Sequence, residues 1–209
     1  MAFKFRLHAR SGALRFVALS LIVLACSQRA SREEVVMAYE ASSNSHDIDS
    51  LLALYADDIR VEKIGMGPPL EGKEALRDLA EYDAALRTTL AVSLGGTGKD
   101  TLFCRIVETN DWLETVGLMS IQYDPVYFVI RGGKIEIIRA ELSQESIESV
   151  NKVMSSLLPW ARENYQGELE SMMPSGVFTY DKGSAEKILM LASRWREKNF
   201  PVDHRTQRK

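Results

Sequence analysis

VVMAYEASSNSHDIDSLLALYADDIRVEK, residues 35–63, decides the fold. Val35, Val36 and Tyr39 share one side of a helix running from Glu33 to about Asn44. After a polar break, Asp47 is placed to cap a second, short helix in which Ile48, Leu51, Leu52 and Tyr55 recur at helical spacing. The acidic pair Asp57-Asp58 supplies turn chemistry, and the β-rich residues 59–64 follow as a strand. This order of elements places Tyr39 and Lys63 where a cavity would form.

Working outward, GMGPP at 65–69 breaks the chain, and residues 71–86 read as a third helix with Leu76, Leu79 and Ala80 inward. From Thr88 the period changes to two: Leu90, Val92 and Leu94 alternate, Gly95-Gly96-Thr97-Gly98 turns, and Leu102, Cys104 and Ile106 alternate again. Gly98-Lys99 is not a phosphate loop, because the preceding Gly, the following Ser or Thr and the helix are all missing. Residues 111–117 are open between a loop and a helical turn carrying Trp112. Residues 120–131 form a long strand in which Asp124-Pro125 demands a bulge or an edge, since proline cannot donate to a ladder. Gly132-Gly133 turns tightly into a last strand at 134–142. Three helices followed by a mainly antiparallel sheet make an α+β fold.

Beyond Ser143 the helical period returns through Ile147, Val150, Met154, Leu157 and Leu158. Pro159 suits the first turn of a further helix, and Ser184 the N-cap of a last one with Ile188, Leu191, Ala192 and Trp195. Helices this short are marginal alone, so this 143–200 extension is expected to pack on the first unit; an independent hairpin that docks a partner is the alternative.

The N-terminus is basic (Lys4, Arg6, Arg10, Arg15) and runs into ten residues of largely apolar sequence, 16–25. That is half of what a membrane span needs, and the order is that of a secretory signal. It ends Val23-Leu24-Ala25-Cys26, which resembles the lipobox of bacterial lipoproteins. The resemblance implies a signal peptide at 1–25, lipid on Cys26, a tether at 26–32 and a place in the cell envelope. In a bacterium with two membranes, Ser27 in place of Asp favours the outer membrane, facing the periplasm. An ordinary cleaved signal is the alternative. Without those four basic residues the remainder carries 22 basic and 29 acidic residues, a net charge of −7, which disfavours nucleic acid as a partner. Residues 201–209 read as a disordered tail. Cys104 reads as a small core residue. The three histidines, His8, His46 and His204, share no metal-ligand spacing and no catalytic arrangement with Ser or Cys. No cofactor motif is present.

The segments VVMAYEASSNSHDIDSLLALYADDIRVE, LEGKEAL and VYFVIRGGKIEIIRAEL together resemble the NTF2-like superfamily, particularly its SnoaL-like and ketosteroid-isomerase-like branches. The resemblance covers residues 33–142 and implies a strongly bent sheet wrapped around the first helix, with a dry hollow beneath it and that helix as its lid. Ketosteroid isomerases use an Asp base and an oxyanion hole of Tyr and protonated Asp. Tyr39 matches the oxyanion tyrosine of that set. Lys63 stands where the base would be, and Asp124 lies two residues before the expected second acid, so the catalytic set is incomplete. As a base or nucleophile, Lys63 would need a depressed pKa; pairing with Asp57, Asp58 or Glu62 is its plain reading. Tyr39 is open between core filler, bonded to Tyr55, and ligand contact. Tyr55, Trp112, Tyr123 and Phe128 are the candidate pocket lining, with Met119 beside them, and plain core is the alternative. Trp160, Phe178, Tyr180 and Trp195 either fix the extension, cap the mouth or form a docking face.

The expected function is therefore a lipid-anchored domain that binds a small, largely apolar molecule or a partner protein. The alternative is an enzyme performing proton transfer on a carbonyl compound as an isomerase, cyclase or lyase. Homodimerisation through the sheet is a further expectation.

Overall fold

Helix α1 (Arg32–Asn44) starts at a capping box: the Glu34 N–H donates to the Ser31 hydroxyl while the Glu34 carboxylate accepts from the Ser31 N–H at 2.7 Å. The computed structural model describes residues 30–199. The signal at 1–25, Cys26, most of the tether and the 201–209 tail lie outside the described residues. Asp47 caps α2 (Ile48–Leu54), accepting from the Ser50 N–H at 3.0 Å.

Strand β1 (Tyr55–Ile64) already contains Asp57 and Asp58, and its register shifts between Tyr55 and Arg60 to accommodate them. Short β2 (Leu70–Glu71) leads into α3 (Gly72–Ala85), then β3 (Thr89–Thr97) and β4 (Thr101–Thr109). The ambiguous segment is a short helix, α4 (Asp111–Thr115), capped by Asn110, whose side-chain oxygen accepts from the Leu113 N–H at 2.8 Å. Strands β5 (Ile121–Arg131) and β6 (Lys134–Leu142) meet at a hairpin where Gly132 and Gly133 both take positive φ, the conformation a two-residue turn of this hand requires.

The strands form one open sheet in the order β2-β1-β6-β5-β4-β3; only β1 and β6 are parallel. Register shifts interrupt the ladders of β1, β3, β4 and β5, and each bends its strand and increases the local twist. This is the α+β arrangement of an NTF2-like cone. Val35, Val36, Leu51, Leu76, Leu102, Val126, Phe128 and Ile135 pack inside it. The free edge of β3 is closed by α1 side chains. Asn44 accepts from the Leu90 N–H at 2.7 Å and donates to the Leu90 carbonyl at 2.8 Å, and Glu40 accepts from the Val92 N–H at 2.9 Å.

Helices α5 (Gln144–Asn164), α6 (Gln166–Met172) and α7 (Lys182–Asn199) form the C-terminal layer. Pro159 does not open a helix but lies inside α5, which runs through it. Nor does Ser184 cap α7. It is buried in the first turn, and Asp181 does the capping, accepting from the Ser184 N–H at 2.7 Å. The layer has its own apolar core of Leu157, Ala161, Met172, Ala185, Leu191 and Ala192, joined by Leu86 at the end of α3. Trp112 packs against both this core and the cone.

Candidate functional site

A cavity of about 260 Å³ lies at the mouth of the cone, beneath α5, α6 and α7. Its cone side is made by Lys63 on β1, Asp83 at the end of α3, Glu108 on β4, Asn110, Trp112 and Tyr123 on β5. The opposite wall is apolar and comes from Val150, Met154, Leu158, Leu169, Met172 and Ile188; Phe178 and Tyr180 close it from the segment before α7. At roughly 30 Å³ per water-sized volume, it suits a guest on the order of ten heavy atoms.

Each charged side chain arrives on the apolar face of its element. Asp83 follows Leu76, Leu79 and Ala80 along one stripe of α3, Glu108 follows Leu102, Cys104 and Ile106 on the inner face of β4, and Lys63 follows Val61 on β1. Glu108 accepts from Asn110 Nδ2 at 2.9 Å and from the Tyr123 hydroxyl. Lys63 Nζ lies 5.2 Å from the centre of the Tyr180 ring. Among the described residues, no donor reaches the Asp83 carboxylate, so its compensation is electrostatic alone.

Burial is the main cause that pushes Asp83 up to about 7; Lys63 opposes the rise and Glu108 adds to it. For Lys63, burial works downward, but Asp83, Glu108 and Tyr180 outweigh it and leave the amine above its usual range. Lys63 is therefore a cation at neutral pH, which removes the depressed pKa that a base or amine nucleophile needs. Burial, with Glu108 and Asp83 adding to it, raises Tyr123 well above the usual tyrosine range and keeps its hydroxyl a neutral donor.

The structure does not bring Tyr39, Lys63 and Asp124 together. Only Lys63 reaches the cavity. Tyr39 sits deeper, with its ring edge-on to Phe128 at 5.3 Å and its hydroxyl bonded to Ser43 rather than Tyr55. Asp124 is on the outer face of the sheet, paired with Arg105 at 2.8 Å. The cause is the register shift between Tyr123 and Val126, which sets one extra residue into β5: Tyr123 and Val126 both point inward, and the two residues between them are turned out. Of the four expected lining residues, Trp112 and Tyr123 line the cavity, while Tyr55 (3% exposed) and Phe128 (0%) are core. Met119 projects into solvent. The space beneath α1 is filled, and the hollow is covered by the C-terminal layer instead.

Sequence reasoning passed over Asp83, Glu108, Asn110, Tyr82 and most of the apolar wall. The signal for the first two was an acidic residue in phase with an apolar stripe. A broader surface groove between Arg87, Asp111 and Met119 holds polar groups that satisfy one another: Arg87 binds Asp111 through two bonds of 2.8 and 2.9 Å. Among the described residues, no group of three or more His, Cys, Asp or Glu is placed to hold a metal ion, and no helix is long and apolar enough to cross a membrane.

No protein-family model and no curated protein matches the sequence. Solved structures do resemble the chain. The epoxide hydrolase/cyclase-like enzyme of pyran ring formation in the polyether salinomycin aligns at 17% identity and a TM-score of 0.48, covering 55% of this chain and 92% of its own. An NTF2-like protein of unknown function from Cytophaga hutchinsonii aligns at 9% identity and 0.47, covering 58% and 98%. An LEH-like epoxide hydrolase of M. tuberculosis aligns at 15% identity and 0.44, covering 60% and 92%. The order of helices and strands described above makes this chain NTF2-like in fold, with a C-terminal helical layer added over the mouth of the cone.

Proposed function

We propose that the protein binds a small, largely apolar molecule with one polar group, in the cavity between the cone and its C-terminal layer. The observation that carries this reading is the division of the cavity: an aliphatic wall from α5–α7 faces a charged and hydroxylic floor from β1, α3, β4 and β5. The test is the thermal stabilisation produced by 1-hexanol. Binding raises the midpoint of the wild-type protein, and Met154→Trp, which fills the cavity, loses the effect while retaining the wild-type circular dichroism. A wild-type midpoint that moves with neither 1-hexanol nor n-hexylamine removes the reading. Attachment to the envelope through lipid on Cys26 belongs to the same proposal and rests on the sequence before that cysteine. Cys26→Ser is expected to shift the protein from the membrane fraction to the soluble one.

A second reading is proton transfer on a carbonyl compound. It is favoured by Asp83, a cavity carboxyl raised to about 7, facing the protonated amine of Lys63. Asp83 would take the α-proton while Lys63 stabilises the oxyanion. Exchange of the α-hydrogens of cyclohexanone in deuterated buffer measures it directly. Acceleration by the wild-type protein that is lost in Asp83→Asn supports this reading, and exchange at the uncatalysed rate ends it.

A further inference from the structure

We propose that the preferred guest is a small amphipathic amine, its ammonium seated on the Asp83 carboxylate and its hydrocarbon part against α5, α6 and α7. The inference rests on the binding reading above and names the ligand class for the same cavity.

The charges facing Asp83 are few. Lys63 comes from β1 and Glu108 from β4. Tyr82 on α3, Tyr39 on α1, Tyr55 on β1 and Tyr123 on β5 are tyrosines that burial and the nearby carboxylates keep neutral. Tyr180 closes the cavity from the segment before α7, and His46 lines with Asp83 a small second recess. With both carboxylates ionised, one cation stands against two anions, and the site carries an excess negative charge in a largely apolar enclosure. Such a charge is costly unless it is paired. Glu108 already accepts from Asn110 and Tyr123, whereas no donor reaches Asp83 among the described residues. In the empty protein a proton relieves the excess, consistent with the raised Asp83. An ammonium group relieves it equally and adds the donors that Asp83 lacks. A neutral alcohol supplies no charge, and a carboxylate ligand adds a third anion. Trp112, Phe178 and Tyr82 also line the cavity, and aromatic side chains are compatible with a cation beside them. The aliphatic wall then accepts a hydrocarbon of about six carbons, given the volume.

The test compares n-hexylamine, 1-hexanol and hexanoate by isothermal calorimetry on the full chain. At pH 8 the expected order is amine, then alcohol, then acid, with the amine at least tenfold tighter than the alcohol. Because the ammonium replaces the proton on Asp83, amine affinity falls about tenfold per unit as the pH drops below 7. Heats in buffers of different ionisation enthalpy show release of up to one proton on amine binding near pH 6. Asp83→Asn collapses the amine-to-alcohol ratio and its pH dependence. The calorimetric proton count in the wild-type protein gives the same answer without any variant. If 1-hexanol binds as tightly as n-hexylamine, or the preference survives in Asp83→Asn, the ammonium seat is wrong while the binding reading stands. If none of the three binds folded wild-type protein, the binding reading falls with it.

Discussion

Asp83 makes its strongest prediction through stability. Its pKa is about 3.8 in the unfolded chain and about 7 in the folded one, so the folded state holds a proton across that interval that the unfolded state has released. The stability this proton contributes is fully present below pH 4 and is lost as pH rises through 7, on the order of 4 kcal/mol in all. Asp83→Asn, which cannot titrate, is expected to show a flatter profile over pH 4 to 7.5 in urea unfolding. Parallel profiles for the two proteins would remove the buried acid from the account. Because Lys63 holds Asp83 down, Lys63→Met is expected to carry the midpoint of the wild-type decline to higher pH, followed by the carboxyl carbon shift of Asp83. Both residues are legible in phase, if not in role. Lys63 stands out from the strand register, whereas Asp83 sits three residues beyond Ala80 on an inward stripe and reads, one residue at a time, like any helical surface acid.

Among elements, β4 and the β5–β6 turn show where sequence pattern is sufficient, and β3 and β5 where it is not. The alternation along β4 and the Gly132-Gly133 turn follow from side-chain period and backbone conformation, which are local. The facing of Asp124 depends on where a bulge falls. Asp124-Pro125 announces a bulge or an edge, but not that Tyr123 and Val126 both keep the inner face, and a one-residue slip reverses a side chain. The edge of β3 was equally illegible, because Asn44 lies 46 residues from the backbone it completes. Two bonds from one amide to Leu90 substitute there for a missing strand. Asn44→Ala leaves that N–H and carbonyl to water and is expected to destabilise by about 0.5–1.5 kcal/mol, read as a lower urea midpoint at unchanged slope. Exposed Ser45→Ala, one residue away, is the matched control and is expected to change little.

At the scale of the whole molecule, the C-terminal layer and the cone share material. Leu86, 2% exposed, ends α3 but belongs to the core of the layer, and Trp112 packs against both cores. Arg196 of α7 donates to the carbonyls of Glu114 and Thr115 at the end of α4, both at 2.9 Å. The sequence shows the layer as apolar helices needing a partner surface, but not which surface: much of the contact is formed by residues 82–86 and 112–116, far away in the chain, where Tyr82, Leu86 and Val116 pack into the core of the layer. Shared residues of this kind couple the two parts. Unfolding is therefore expected to be one transition, with circular dichroism dominated by both parts and tryptophan fluorescence reporting only the junction and the layer, since Trp112, Trp160 and Trp195 all lie there. Leu86→Ala is expected to cost about 2–5 kcal/mol and to move both probes together. Fluorescence that melts ahead of circular dichroism in the wild-type protein would show instead that the layer opens on its own. The aliphatic wall of the cavity would then be a dissociable cover rather than a fixed part of the site.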